Sequence, residues 1–222
     1  MSAAKYYALT RIEYDQYVAT LEANVKDADV LEFGCGPYGY IYDAAPVTRS
    51  ATAIDLSPVA IEMSKKKAAG LGVEIDFLEM NCEDLKFEDD SFDLIFGSSI
   101  LHHLNLDQTL AEMRRVLRPG GMLVFTEPLG HNPCINLYRK LTPQMRTVDE
   151  HPLMMSDLKL ISEYFPETEI GFFHLFTFAA VPFINTPLFK PVRAIGHFCD
   201  RLLFTVIPFA RRWAWMSLIK AR

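Results

Sequence analysis

Cysteine is scarce and scattered. The four residues, Cys35, Cys82, Cys134 and Cys199, form no C-x-x-C pair, and each reads as a free thiol or a small buried apolar side chain. Met1 to Asn24 is polar and tyrosine-rich and lacks the apolar stretch of a secretory signal. The expectation is a cytoplasmic protein with reduced thiols. Basic charge is also short: 22 Lys and Arg stand against 28 Asp and Glu, a net charge of -6. That balance, and the lack of any nucleic-acid recognition module, argue against DNA or RNA as a partner. No H-x-x-x-H spacing occurs, and the adjacent His102 and His103 cannot readily converge on one ion, so no metal is expected. A clean membrane span is missing too. Residues 170–189 carry no formal charge, but Pro182, Pro187, His174, Thr177, Asn185 and Thr186 interrupt them.

What is present is a globular chain of 222 residues, 50% hydrophobic, with room for one α/β domain. It is organised around Val30-Leu31-Glu32-Phe33-Gly34-Cys35-Gly36-Pro37-Tyr38-Gly39. An apolar run ends in an acid and enters a turn in which Gly34, Gly36 and Gly39 fit G-x-G-x-x-G. Such glycines allow a tight turn, close approach of backbone to a ligand and close packing of helix on strand. A helix is predicted over 5–26, with Tyr6, Leu9, Tyr14, Tyr17, Val18, Leu21 and Val25 on one stripe. Strands are predicted at 29–33, 50–56, 73–80, 92–96 and 122–126, with helices at 38–46, 57–69 and 107–117 between them. Pro119-Gly120-Gly121 reads as a turn. This alternation predicts a doubly wound, mostly parallel sheet. Asp55, Asn81 to Glu83 and Ser98 to His103 would share with the glycine turn the carboxyl ends of the strands, where such sheets bind ligands.

These residues resemble the class I S-adenosylmethionine-dependent methyltransferases over about residues 28–127. Val30 to Gly36 is similar to the family's first motif and Ala53-Ile54-Asp55-Leu56-Ser57 to its second. Asn81 to Leu85 with Asp90 to Ile95, and Arg115 to Gly121, are similar to its later ones. The resemblance implies a seven-stranded Rossmann-like sheet whose last strand, near 213–221, returns antiparallel between the fifth and the sixth at 167–178. It implies S-adenosyl-L-methionine as cofactor, held by Glu32, Gly34, Cys35, Gly36, Gly39, Asp55, Leu56, Asn81, Cys82, Glu83 and Ser98. Asp55 is the ribose acid. Asn81 stands where the family usually has an acid near the adenine. A nicotinamide-dependent oxidoreductase would share the glycine fingerprint, and a non-catalytic cofactor-binding module would share the fold.

His103, His102 and Glu127 are the candidate catalytic groups, since a neutral imidazole or a carboxylate can take a proton from an acceptor. The alternatives are a packed or capping histidine and a glutamate that caps a neighbour. His131, Asn132, Arg146 and His151 are candidate substrate contacts. The chain divides into an N-terminal helical cap (1–27), a cofactor core (28–127), a substrate-side insertion (128–155) and an apolar, basic helical insertion (180–212). Residues 190–222 carry a local charge of +6 on an otherwise acidic body. The insertion is expected either to cover a small-molecule or lipid-like acceptor or to dock on an anionic membrane surface, peripheral to its inner face.

Overall fold

The computed structural model describes residues 3–142, 144 and 150–222, without the side chains of 3–7. Seven strands form one sheet: β1 (Asp29–Phe33), β2 (Ser50–Asp55), β3 (Asp76–Glu79), β4 (Phe92–Ser98), β5 (Leu117–Pro128), β6 (Thr168–Phe173) and β7 (Met216–Ala221). Their order is β3-β2-β1-β4-β5-β7-β6. The first five are parallel, and β7 runs antiparallel between β5 and β6. The order reverses between β1 and β4, so the crevice above their carboxyl ends is where this architecture receives ligands.

Buried parallel strands show continuous apolar runs with alternate residues on opposite faces. Val30 and Val124 therefore join one core layer, with Leu9, Tyr17, Leu21 and Ile41. Leu31, Phe33, Leu123 and Phe125 join the other, with Leu110, Met113, Leu158 and Ile161. The first layer lies under α1 (Ala3–Glu22), α2 (Ile41–Ala44) and α3 (Pro58–Leu71), the second under α4 (Leu106–Val116) and α6 (Met155–Tyr164). Ser57 caps α3 by accepting from the Ala60 amide at 3.2 Å, with Pro58 next, and Gly72 ends it at φ +68.

Two boundaries depart from the sequence expectation. β3 is shorter than 73–80, because the Val73 amide still donates to the Ala68 carbonyl and prolongs the exit from α3. β5 starts at Leu117, not at 122. Pro119-Gly120-Gly121 lies inside it as an irregularity, with Gly120 at φ +81 and a register shift between Phe92 and Leu94 on β4. Beyond β5 come α5 (Pro133–Leu141) and α6. A 3₁₀ segment (Phe176–Phe183), α7 (Phe189–Val206) and a 3₁₀ turn (Pro208–Trp213) fill the connection from β6 to β7. Among the described residues, no helix is long and apolar enough to cross a membrane.

Candidate active site

The glycine turn is held by carboxylates. Glu32, one residue before the end of β1, is buried, and its oxygens accept from the Tyr40 and Ile41 amides at 2.9 and 3.1 Å. Burial pushes its pKa up to about 8 against the pull of those two donors. A Cβ on Gly39 would overlap this carboxylate, and one on Gly34 would lie 2.7 Å from Ile100. Gly36, at φ +42, faces open space. Asp55 accepts from the Gly36 amide at 3.1 Å with one oxygen and from the Ser57 amide at 2.9 Å with the other. It thus ties the turn to the start of α3. Burial pushes the Cys35 and Cys82 thiols up to about 12, so both stay protonated as small walls of the turn.

At the neighbouring strand ends, Asn81 accepts from the Glu83 amide at 3.0 Å, and Glu83 accepts from the Asn105 amide at 2.6 Å. Leu56 projects with 70% of its surface exposed. Ser99, at φ +55, turns the chain out of β4 and donates its amide to the Thr126 carbonyl. Glu127 is fully buried on the opposite face of β5 from Thr126. One oxygen accepts from the Ile100 and Leu101 amides, both at 2.8 Å, and the other meets His102 Nδ1 at 2.7 Å. The His102 and His103 rings lie 4.2 Å apart, and the His102 carbonyl accepts from the His151 amide.

A cavity of about 880 Å³ opens above β1 and β4. Glu32, Gly34, Gly36 and Ser98 line it from the sheet, with Cys35 and Gly39, and Tyr38 stands at its lip. Its roof is α1, through Thr10, Glu13 and Tyr17. Another cleft of about 580 Å³ lies between α1 and the outer strands, near Gln16, Met122 and Lys220. It sits at the opposite end of the parallel strands from the glycine turn, the end that does not carry ligands.

Several predicted residues fall outside the main cavity, among them the cofactor candidates Asp55, Leu56, Asn81, Cys82 and Glu83 at the adjoining strand ends. His102, His103 and Glu127 are not on its wall; Glu127 and His102 form a buried support beneath the turn after β4. Asn132 is buried away from the cavity, and both ends of its amide serve the fold. Its oxygen caps α5 at the Ile135 amide, and its nitrogen donates to the Trp213 carbonyl at 2.6 Å. His131 lies in a separate shallow cleft with Met154, Phe209 and Arg212, its pKa lowered by burial and by Arg212. His151 is exposed beside the turn. Arg146 lies outside the described residues.

Among the cavity residues missed in the sequence are Thr10 and Glu13 of α1. Leu9, Glu13, Tyr17 and Leu21 recur every fourth position, and all are buried. A carboxylate on such an apolar stripe is the signal that marks Glu13. It accepts from the Thr126 hydroxyl, and burial with the nearby Glu127 charge pushes its pKa up to about 8. The Tyr17 hydroxyl is buried without a hydrogen-bond partner.

A Rossmann-like sheet of this order, with a glycine turn, a β2 acid and a roofed crevice at the switch point, defines a nucleoside-cofactor fold. Residues 31–125 match the family model of the methyltransferase domain. A ubiquinone/menaquinone biosynthesis C-methyltransferase of Bartonella henselae is 40% identical over 92 residues, which cover 39% of this chain and 35% of that protein. A fatty-acid O-methyltransferase of Mycolicibacterium smegmatis is 33% identical over 123 residues, 54% of this chain and 44% of the relative. The chain spans half or less of the length of the curated relatives it matches. In fold it is similar to a Haemonchus contortus phosphoethanolamine N-methyltransferase 2 crystallised with S-adenosylhomocysteine. The TM-score is 0.66 at 15% identity, over 94% of this chain and 52% of that one.

Proposed function

We propose that the chain is an enzyme that transfers the methyl group of S-adenosylmethionine to a small, lipid-like acceptor. The observation that carries this reading is the cavity between the glycine turn and α1, at the switch point of the sheet. Residues of its wall and of the adjoining strand ends suit the cofactor. Gly36 offers backbone with open space where a Cβ would stand, and Asp55 keeps lone pairs beyond its two amide contacts for a ribose diol. Glu32, Gly34, Cys35, Gly39 and Ser98 would surround the amino-acid end, with Leu56, Asn81, Cys82 and Glu83 at the adenine end. Bound S-adenosylmethionine supplies an electrophilic methyl with its own leaving group. The protein's part is orientation and exclusion of water, which the α1 roof provides. Glu127 and His102 act by fixing the turn after β4. His103, His131, Arg146 and His151 remain candidates on the acceptor side. Calorimetric titration with S-adenosylmethionine and with NAD tests the reading: binding of NAD alone would replace it with an oxidoreductase.

The acceptor's character is supported by the relatives, whose names include fatty-acid and quinone-pathway methyltransferases. A face of α7 adds to it. Ile195, Phe198, Leu202 and Val206 are exposed at three- and four-residue spacing along it, with Leu188 before it and Phe209 after it also exposed, and Lys190 and Arg201 are exposed beside them. A stripe of this kind lies in a membrane interface, where each basic residue contributes on the order of 1 kcal/mol toward anionic lipid. Peripheral docking through 180–212 would bring a lipid acceptor to the enzyme. Flotation with anionic and neutral vesicles tests it. Absence of association at low salt would leave the segment as a cover for the acceptor.

A further inference from the structure

Three buried carboxyl groups stand on the elements that surround the main cavity. Glu32 lies on β1, Glu127 on β5 and Glu13 on α1, and all are at most 3% exposed. Two of them have backbone partners: Glu32 holds two amides, as does Glu127, which also holds His102. Glu13 differs. Its recorded partner is the Thr126 hydroxyl, a neutral group, and it stands on the cavity wall. One helical turn along, the Tyr17 hydroxyl is buried on the same wall with no partner at all. The neighbouring charges do not neutralise the site. Arg11 is exposed and paired with Asp15 at 2.6 Å, and Arg193 of α7 donates to the Ala8 carbonyl. His102 is spent on Glu127, and Tyr14 and Tyr17 are the remaining titratable groups of α1 at the wall. A buried carboxyl without a cation takes up a proton, and a cation brought beside it drives that proton off.

We propose that Glu13 distinguishes the cationic methyl donor from its neutral thioether product: it is a neutral acid in the empty cavity and ionises when the donor's sulfonium enters. The proposal rests on the cofactor reading given above. The balance is simple. The carboxylic acid becomes a carboxylate, and its proton goes to solvent as the positive ligand binds. The thioether brings no sulfur charge, so it binds with Glu13 still protonated. Donor affinity gains the carboxylate's attraction, and product affinity does not. The unpartnered Tyr17 hydroxyl, beside the acid, can turn to donate to the new carboxylate.

Titration calorimetry at pH 6.5 to 7.5, in two buffers of different ionisation enthalpy, reads the proton directly. Wild type is expected to release close to one more proton with S-adenosylmethionine than with S-adenosylhomocysteine. Its preference for the methyl donor is expected to rise up to about tenfold per pH unit. Glu13→Gln should abolish both the extra proton and the pH slope while thioether affinity stays within about twofold, and Glu13→Asp should restore part of the slope. Equal proton release by the two ligands in wild type, or an unchanged difference in Glu13→Gln, would overturn the assignment while leaving the methyltransferase reading intact. Failure of both ligands to bind wild type would remove both.

Discussion

The rim around the glycine turn and the cap from His174 to Trp213 bury ionisable groups in opposite ways. At the rim the groups are acids. Glu13 and Glu32 are both pushed up to about 8 by burial, Glu32 against two amide donors that favour its charged form, Glu13 without any. In the cap the conspicuous group is a base. His174 is buried with both ring nitrogens unpartnered, near Phe173 and Trp215, and its pKa is lowered to about 3. Burial is the main cause, and His197 and Arg193 add to it. The difference teaches where ligand charge belongs. A cation arriving at the rim relieves Glu13, whereas His174 is held neutral by burial beside His197 and Arg193. The cap holds its chain by another route: the fully buried Asp200 accepts from the Leu175 and Phe176 amides and from the Thr177 hydroxyl, at 3.1, 2.6 and 2.7 Å.

Breaking the cap's anchor is expected to have the largest effect. Asp200→Ala leaves these buried donors open, at about 1–3 kcal/mol for each one unsatisfied, so denaturant unfolding should show a loss of about 3–5 kcal/mol in total. Cofactor binding by the remaining folded protein should survive, since the rim is untouched. Equal damage to both would show that rim and cap are one energetic unit. Glu32→Ala makes the reciprocal cut. It frees the Tyr40 and Ile41 amides, and about 2–4 kcal/mol of stability should be lost together with the cofactor. Asp55→Ala is milder for the fold and is expected to weaken S-adenosylmethionine by about 1.5–3 kcal/mol, the worth of a charge-assisted hydrogen bond. Unchanged affinity in a folded Asp55→Ala protein would exclude it from the ribose site.

Acid sharpens the contrast further. Because the native pKa of His174 lies below the unfolded value, its contribution is complete above pH 6.5. It declines toward pH 3, by at most about 1.4 kcal/mol per unit. The raised acids at the rim have the opposite sign: their contribution is complete at low pH and declines as pH rises from 4.5 to about 8. Thermal melts across pH should therefore lose part of their acid limb in His174→Asn, a residue that tolerates φ +67, the rest staying with the ion-paired Asp29, Asp93 and Glu112, and lose part of their alkaline limb in Glu13→Gln. The smallest effect on stability is expected from Phe198→Ser with Leu202→Ser on the exposed face of α7. Stability should stay within about 0.5 kcal/mol, while any vesicle binding falls.

Much of the rim was legible because its residues obey local rules. Gly34 and Gly36 sit at positive φ, Pro58 follows its serine cap, and Asp55 ends a strand, so spacing alone placed them. What the sequence hid is tertiary. Glu127 is two residues from Leu129 in sequence, but its carboxylate reaches back to amides at 100 and 101, which no periodicity announces. Asn132 stands in a loop that points toward the rim on paper, yet helix capping and the Trp213 carbonyl consume its amide. Gly120 looked like a turn because Pro-Gly-Gly usually is one; the pairing of Leu117 with Phe92 carries the strand across it. Glu13 was concealed by its neighbours, since the stripe 9, 17, 21 reads as packing until the acid between them is counted on the same face.

β7 is the last strand in the chain, but it lies inside the sheet, paired on one side with β5 and on the other with β6. In the time order of synthesis this sets an asymmetry. Strands β1 to β5 can pair as they emerge, because each lies beside one already made or soon to follow. β6 has no neighbour until residue 216 arrives, and β5 keeps a bare edge from Leu123 to Pro128 for the same interval. Bare edges invite pairing with other chains. The strands that carry the glycine turn are therefore free to assemble early, and β6 waits on a six-residue strand. A chain cut short of that strand would expose a sticky edge beside a finished nucleotide crevice, so aggregation rather than simple loss of stability is its expected fate.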